Sequence, residues 1–244
     1  MVSAVKPPRA RAQEVLALVE ETTACFVDMP DEPGQQVHCL FAGLYRETTK
    51  RWLQALNNAE NPLFTYLVVR RFYDVYEQGV PAHLKAGRLK APLPWRGYHW
   101  LAKRLTMRSS ITMHLLLISL GARAHTYHDL STAVQLGAQD YRDIFGHAVD
   151  LEQERLNIIG PVSAKAFFDA AQDYVSWHRT RQTGWRHAVL SVYGPILHAL
   201  RPLWLNIFEG WRSHAWEIAI KQDKAVQPSK IAQVQPDIPH FSRE

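Results

Sequence analysis

Three side chains able to do chemistry lie close together in the run Ala124-His125-Thr126-Tyr127-His128-Asp129-Leu130. On a continuous helix, taking His114 as zero, His125 falls at about 20°, Asp129 at about 60° and His128 at about 320°. All four therefore share one face. His125 with His128 is an i,i+3 pair and His125 with Asp129 an i,i+4 pair, spacings that bring side chains together. Such a set can hold a divalent metal (zinc, iron or manganese) that activates water or polarises a carbonyl. It can equally do acid–base work without metal, because imidazole titrates near neutrality. In that form His125 is the acid or base, oriented by Asp129 or Asp140. His114 lies about 16 Å along the axis from His125, too far to share one ion with it.

The next segment offers a second polar face, with Asp140, Asp143, His147 and Asp150 spaced by three, four and three. A turn near Gly137 would lay this face antiparallel to the first and bring Asp140 to His125, His128 and Asp129. Those four residues are the expected catalytic and metal-ligating set. A simply solvated face is the competing reading of the aspartates.

Further residues are candidates for the wall of a substrate pocket. His38 stands beside Tyr45 and Trp52, His114 lies within an apolar run, and Tyr127 separates the paired histidines. Arg70 and Asp74 share a face at i,i+4 and either pair between two helices or line the pocket. A core role for His38 and His114 stands beside the functional one. Cys25 and Cys39 are isolated, which excludes a disulfide scaffold. No glycine-rich phosphate loop, dinucleotide fingerprint or nucleophile elbow occurs, which argues against the common nucleotide-dependent chemistries.

Charge is concentrated. The formal net charge is +5, yet residues 78–128 contain no Asp or Glu and hold eight bases. These include Lys85, Arg88, Lys90, Arg96, Lys103 and Arg104, interleaved with Trp95, Tyr98, His99 and Trp100. The rest of the chain has 20 basic and 23 acidic residues. Such a segment suits an anionic partner: a membrane surface, a phosphorylated ligand or, without a recognised motif for it, nucleic acid. The alternative is a solvated loop with its aromatic rings in the core.

Helices must position these residues. At 244 residues and 47% hydrophobic composition the chain can bury a sizeable core. Helical spacing predicts Ala10–Val27, a stripe from Val37 to Leu56, and a helix opened by Asn61-Pro62 that ends at Gly79-Val80-Pro81. Pro81–Gly97 reads as an irregular connection. Ser109 or Ser110 caps a helix reaching Leu120 or Gln135, with Gly137 as its break. Further helices cover Gln139–Ile158, Ala164–Thr180 with Ser163 as cap, a segment kinked at Gly194-Pro195, and Trp204–Ile218. The expectation is one all-α domain of seven or eight helices over residues 10–225. A flexible N-terminus (1–9) and an exposed tail (226–244) flank it. The longest apolar run, Ile111–Leu120, is too short to span a bilayer, and no N-terminal signal is visible, so a cytoplasmic location is expected.

In order along the chain, Leu40–Leu56, Pro62–Gly79, Leu115–Leu130 and Asp140-Tyr141 resemble domain-of-unknown-function family 5995, an all-helical family without an assigned activity. Its best-marked segment is matched by Ala124, His125, Asp129 and Leu130. The chain departs from it at Ser131, where the family has proline, at His128, which is an addition, and at Phe145, where a polar residue is expected. The His125-x-x-x-Asp129 pair is also similar, at the level of fold, to the zinc-dependent phospholipase C and single-strand nuclease fold, whose N-terminal tryptophan ligand this chain lacks.

Together these features predict an enzyme with an aromatic-lined interhelical pocket, acting on a mostly apolar small molecule by isomerisation, cyclisation or hydrolysis. A binding protein using residues 85–108 against an anionic partner, and a helical scaffold with structural histidines, are the alternatives.

Overall fold

Proline opens the first helix. Pro8 occupies the first turn of α1 (Pro8–Val27), where its missing N–H removes no intrahelical bond. Ala12, Val15, Val19 and Phe26 of α1 are buried at helical spacing. The computed structural model describes residues 6–59, 62–87, 90–180 and 201–231, with Ser191, Pro195, His198 and Ala199. At 159, 161, 162 and 223–231 only the backbone is described.

Among the described residues every regular element is helical, and the architecture is an all-α bundle. After α1 come α2 (His38–Leu56), α3 (Leu63–Gly79), the short α4 (Pro81–Lys85) and α5 (Arg96–Ala102). There follow α6 (Ile111–Arg123), α7 (Leu130–Phe145), α8 (Leu151–Ile159), α9 (Pro161–Arg179) and α10 (Arg201–Ile231). α3 packs on α1 and α7, α2 on α1 and α9, and α10 on α7. No described helix is long and apolar enough to cross a membrane.

Several boundaries differ from the sequence expectation, each for a physical reason. The connection after α3 contains α4 and a turn of 3-10 helix at Leu93–Trp95, because Pro81 and Pro94 sit in first turns rather than breaking structure. Asn61 lies outside the described residues. Ser110 caps α6 as expected, its Oγ accepting from Met113 N at 3.3 Å. Ser163 is not a cap: it lies inside α9 and its hydroxyl donates back to the carbonyls of Ile158 and Gly160.

The main correction concerns Gly137. It does not break a helix. A Cβ at 137 would lie 3.0 Å from Val68 Cγ2, so the glycine permits close approach of α7 to α3. The helix ends at Gly146 instead, in the left-handed conformation with φ of 74°. Asp150 then caps α8 through two backbone N–H groups. Ile111–Phe145 is thus one continuous rod, interrupted only by a π-helical segment at Ala124–Asp129.

The last helix is longer than its apolar stripe: its backbone continues past Val226 to Ile231. Residues 232–244, Gly184 and Gly194 lie outside the described residues. Arg212 of α10 is buried, donating to Ile158 O and Ser163 Oγ, and so ties α10 to the α8–α9 junction. Burial pushes its guanidinium down to about 10.

Candidate functional site

The π-helical segment carries the site. A π turn is wider than an α turn and is commonly found where function needs a local change of register. Here it still leaves His125 and Asp129 in contact, with Nδ1 of His125 3.1 Å from Oδ2 of Asp129. The same oxygen accepts from the indole Nε1 of Trp95, also at 3.1 Å. Indole N–H can only donate. Oδ2 as a shared acceptor therefore places the His125 proton on Nδ1 and leaves Nε2 with a lone pair.

Both members of the pair are at least 96% buried. Burial pushes the Asp129 carboxyl up and the His125 imidazole down, while their mutual bond opposes both shifts. The imidazole ring stacks on Phe72, with centroids 3.6 Å apart and planes 10° from parallel. Tyr45 meets it edge-on at 4.5 Å, and Tyr76 and Phe41 close the cage. The ring is thus fixed by stacking on its face and by a hydrogen bond on its edge.

Nε2 of His125 is buried and has no hydrogen-bond partner among the described residues. His125 also lines a cavity of about 510 Å³. Its walls come from α2, α3, α6, α9 and α10 and are mostly apolar, with Phe41, Phe72, Phe167, Trp204, Phe208 and Trp211 prominent. Polar groups are few. Tyr174 is one of the lining residues; its hydroxyl is buried without a described partner and held protonated by burial. Size, apolar lining and sparse polar groups are the features of small-molecule sites.

Of the residues singled out in the sequence, Tyr45 and His114 do line this cavity. His114 is also anchored through Nε2 to Thr106 O at 2.9 Å. The others go elsewhere. His128 is exposed and lines a second, smaller cleft of about 380 Å³ with Trp95, Asp129 and Thr132. The widened turn swings it off the face that uniform helical spacing gives it.

Asp140 is about 22 Å along the same rod from His125, since no turn intervenes. It makes a two-pronged ion pair with Arg71 at 2.6 and 2.8 Å and lies 3.6 Å from Arg11. Arg70 and Asp74 are paired with each other at 2.9 Å and are not among the cavity's lining residues. His38 is fully buried beyond the cavity wall, 2.9 Å from Tyr98 Oη through Nδ1. Tyr127 stacks on His214 at 4.5 Å rather than entering the cavity.

The expected metal set therefore does not fit. Only His125 and Asp129 of the four stay together, and no group of three or more His, Cys, Asp or Glu side chains among the described residues is placed to hold an ion.

In the basic segment, Lys85, Lys90, Arg96, Lys103 and Arg104 are exposed, and Arg88 lies outside the described residues. Trp95, Tyr98 and His99 are core residues, whereas Trp100 is exposed. Trp95 is the functional residue that the sequence reading misplaced, by grouping it with the bases. Its buried place depends on Gly79, where a Cβ would lie 2.5 Å from the indole nitrogen. The cavity's far wall, from Phe167, Tyr174 and α10, was likewise missed, because core and cavity aromatics share one helical pattern.

Comparison with family models, with curated proteins and with solved structures returns no match.

Proposed function

We propose that the large cavity binds a mostly apolar small molecule and that His125 acts on it as an acid–base group, held in place by Asp129. The observation that carries this reading is that His125, whose buried Nε2 has no partner among the described residues, is in the lining of a mostly apolar cavity. A buried acceptor without a partner costs roughly 1–3 kcal/mol. A ligand that donates a hydrogen bond to it recovers that cost.

The chemistry follows from the tautomer. Nε2 takes a proton from a hydroxyl, or from a carbon beside a carbonyl. The imidazolium so formed donates from Nδ1 to the Asp129 carboxylate, which stabilises the new charge. Returning the proton to another atom of the substrate completes an isomerisation or cyclisation with no net proton change. The Tyr174 hydroxyl, on the same cavity, supplies a neutral hydrogen-bond donor for a substrate oxygen.

Binding of 1-decanol and of decane, measured by displacement of an apolar fluorescent dye, tests this. Both should enter the cavity, with decanol favoured about tenfold, the worth of one buried hydrogen bond. His125→Phe should abolish the preference while retaining decane binding. An undiminished preference for decanol in the variant, or entry of neither compound, would overturn the reading.

A further inference from the structure

α6 is apolar on two sides. Ile111, Leu115, Ile118 and Ala122 line the large cavity, whereas Met113 and Leu116 face solvent. Four of the eight exposed large apolar side chains among the described residues fall in one short stretch: Leu93, Trp100, Met113 and Leu116. α5 and α6, which carry Trp100 and Leu116, pack against each other. A Cβ at Gly97 of α5 would meet Leu120, and one at Gly121 would meet Tyr98. Trp100 and Leu116 are thus exposed on two helices that pack on one another.

Exposed bases accompany these apolar side chains. The Arg104 guanidinium lies 4.0 Å over the Trp100 ring and donates to Trp100 O. Arg96 and Lys103 are exposed on the same short helix and its end. No carboxylate is contributed by residues 78–128. Asp31, from the loop after α1, sits at the margin, 3.5 Å from Arg108.

We propose that this face docks on the surface of an anionic lipid bilayer. Trp100 and Leu116 enter the interface, and Arg96, Lys103 and Arg104 meet the headgroups. Tryptophan favours that depth, because its ring is apolar and its N–H is polar. A helix with one apolar side and flanking bases lies in the plane of such a surface. Nucleic acid would engage the bases but leave Leu116 and Met113 uncovered, so lipid accounts for more of the face. The same helix forms a cavity wall, which sets the cavity next to the phase where apolar ligands collect. The docking face itself does not depend on His125.

Sedimentation with vesicles of phosphatidylcholine, alone or mixed with phosphatidylglycerol, tests the proposal. The protein should bind the mixed vesicles and detach as salt rises. Arg104→Gln should weaken binding about fivefold, as expected for one base at such a surface. Trp100→Ser and Leu116→Ser, both at exposed positions and checked by circular dichroism, should each weaken it about tenfold or more. Absence of vesicle binding, or binding that both serine variants retain in full, would overturn the proposal. Preferential binding to duplex DNA or RNA would assign the bases to nucleic acid and overturn it as well.

Discussion

Trp95 and His125 donate to one and the same carboxylate oxygen, Oδ2 of Asp129, each across 3.1 Å. Their ring centroids lie 6.2 Å apart with planes 45° from parallel, and that one atom anchors both. Two donors fixed by a single acceptor make Asp129 the positioning residue of the site.

Asp129→Asn and Asp129→Ala should therefore behave differently. The asparagine amide oxygen can take the place of Oδ2 and accept from both donors, so its stability cost should stay below about 1 kcal/mol. Alanine orphans two buried N–H groups and should cost about 2–4 kcal/mol. Urea denaturation of the two variants checks the order, and equal losses would contradict the shared acceptor. Once a substrate is in hand, Asn should still lower the rate by two or more orders of magnitude, because the charge that stabilises the imidazolium is gone.

Gly79→Ala sets two effects against each other. Alanine favours a helix by about 1 kcal/mol over glycine. The new Cβ, however, would lie 2.5 Å from Trp95 Nε1, and the indole is walled in by Phe41, Tyr76 and Tyr98. Overpacking of this kind costs about 1–3 kcal/mol, so net destabilisation is expected. The denaturation midpoint measures it, and the Trp95 indole N–H resonance should move at the same time. A stabilised variant with an unmoved resonance would show that the indole has room.

Acid should destabilise the fold through two buried histidines. Burial is the largest cause holding His38 down at about 3 and His99 at about 4, against an ordinary value near 6.5. Both are neutral in the folded protein at pH 7. Below about pH 6.5 the unfolded chain takes up protons that these two folded imidazoles refuse. Their contribution to stability is thus complete above that pH and is lost as pH falls toward 4. Each histidine contributes a slope of up to about 1.4 kcal/mol per pH unit. Urea denaturation between pH 7.5 and 5 should show the decline, and His38→Gln should remove about one histidine's share of the slope. A variant with the parent slope would contradict it.

Much of this was legible in the sequence. Helical spacing located α1, α2 and α3 to within a few residues, because each buries a continuous apolar stripe. The His125–Asp129 pair was legible because i,i+4 contact survives the π turn. The position of His128 was not, since angular bookkeeping assumes a uniform helix. Gly137 misled because glycine serves both to end helices and to let them approach, and only the neighbouring Val68 distinguishes the two. Asp140 moved out of the site as a direct result: without a turn at Gly137 it points to Arg71. Trp95 was hidden because its partner, Asp129, is remote in sequence.

The wall between the two hollows has one further consequence. Asp129 borders the smaller cleft, and its bonded neighbour His125 borders the larger cavity. The partition at that point is only these two side chains thick, and both can carry a proton. The two hollows thus share a wall made of one hydrogen-bonded pair, so a shift of either side chain alters both of them.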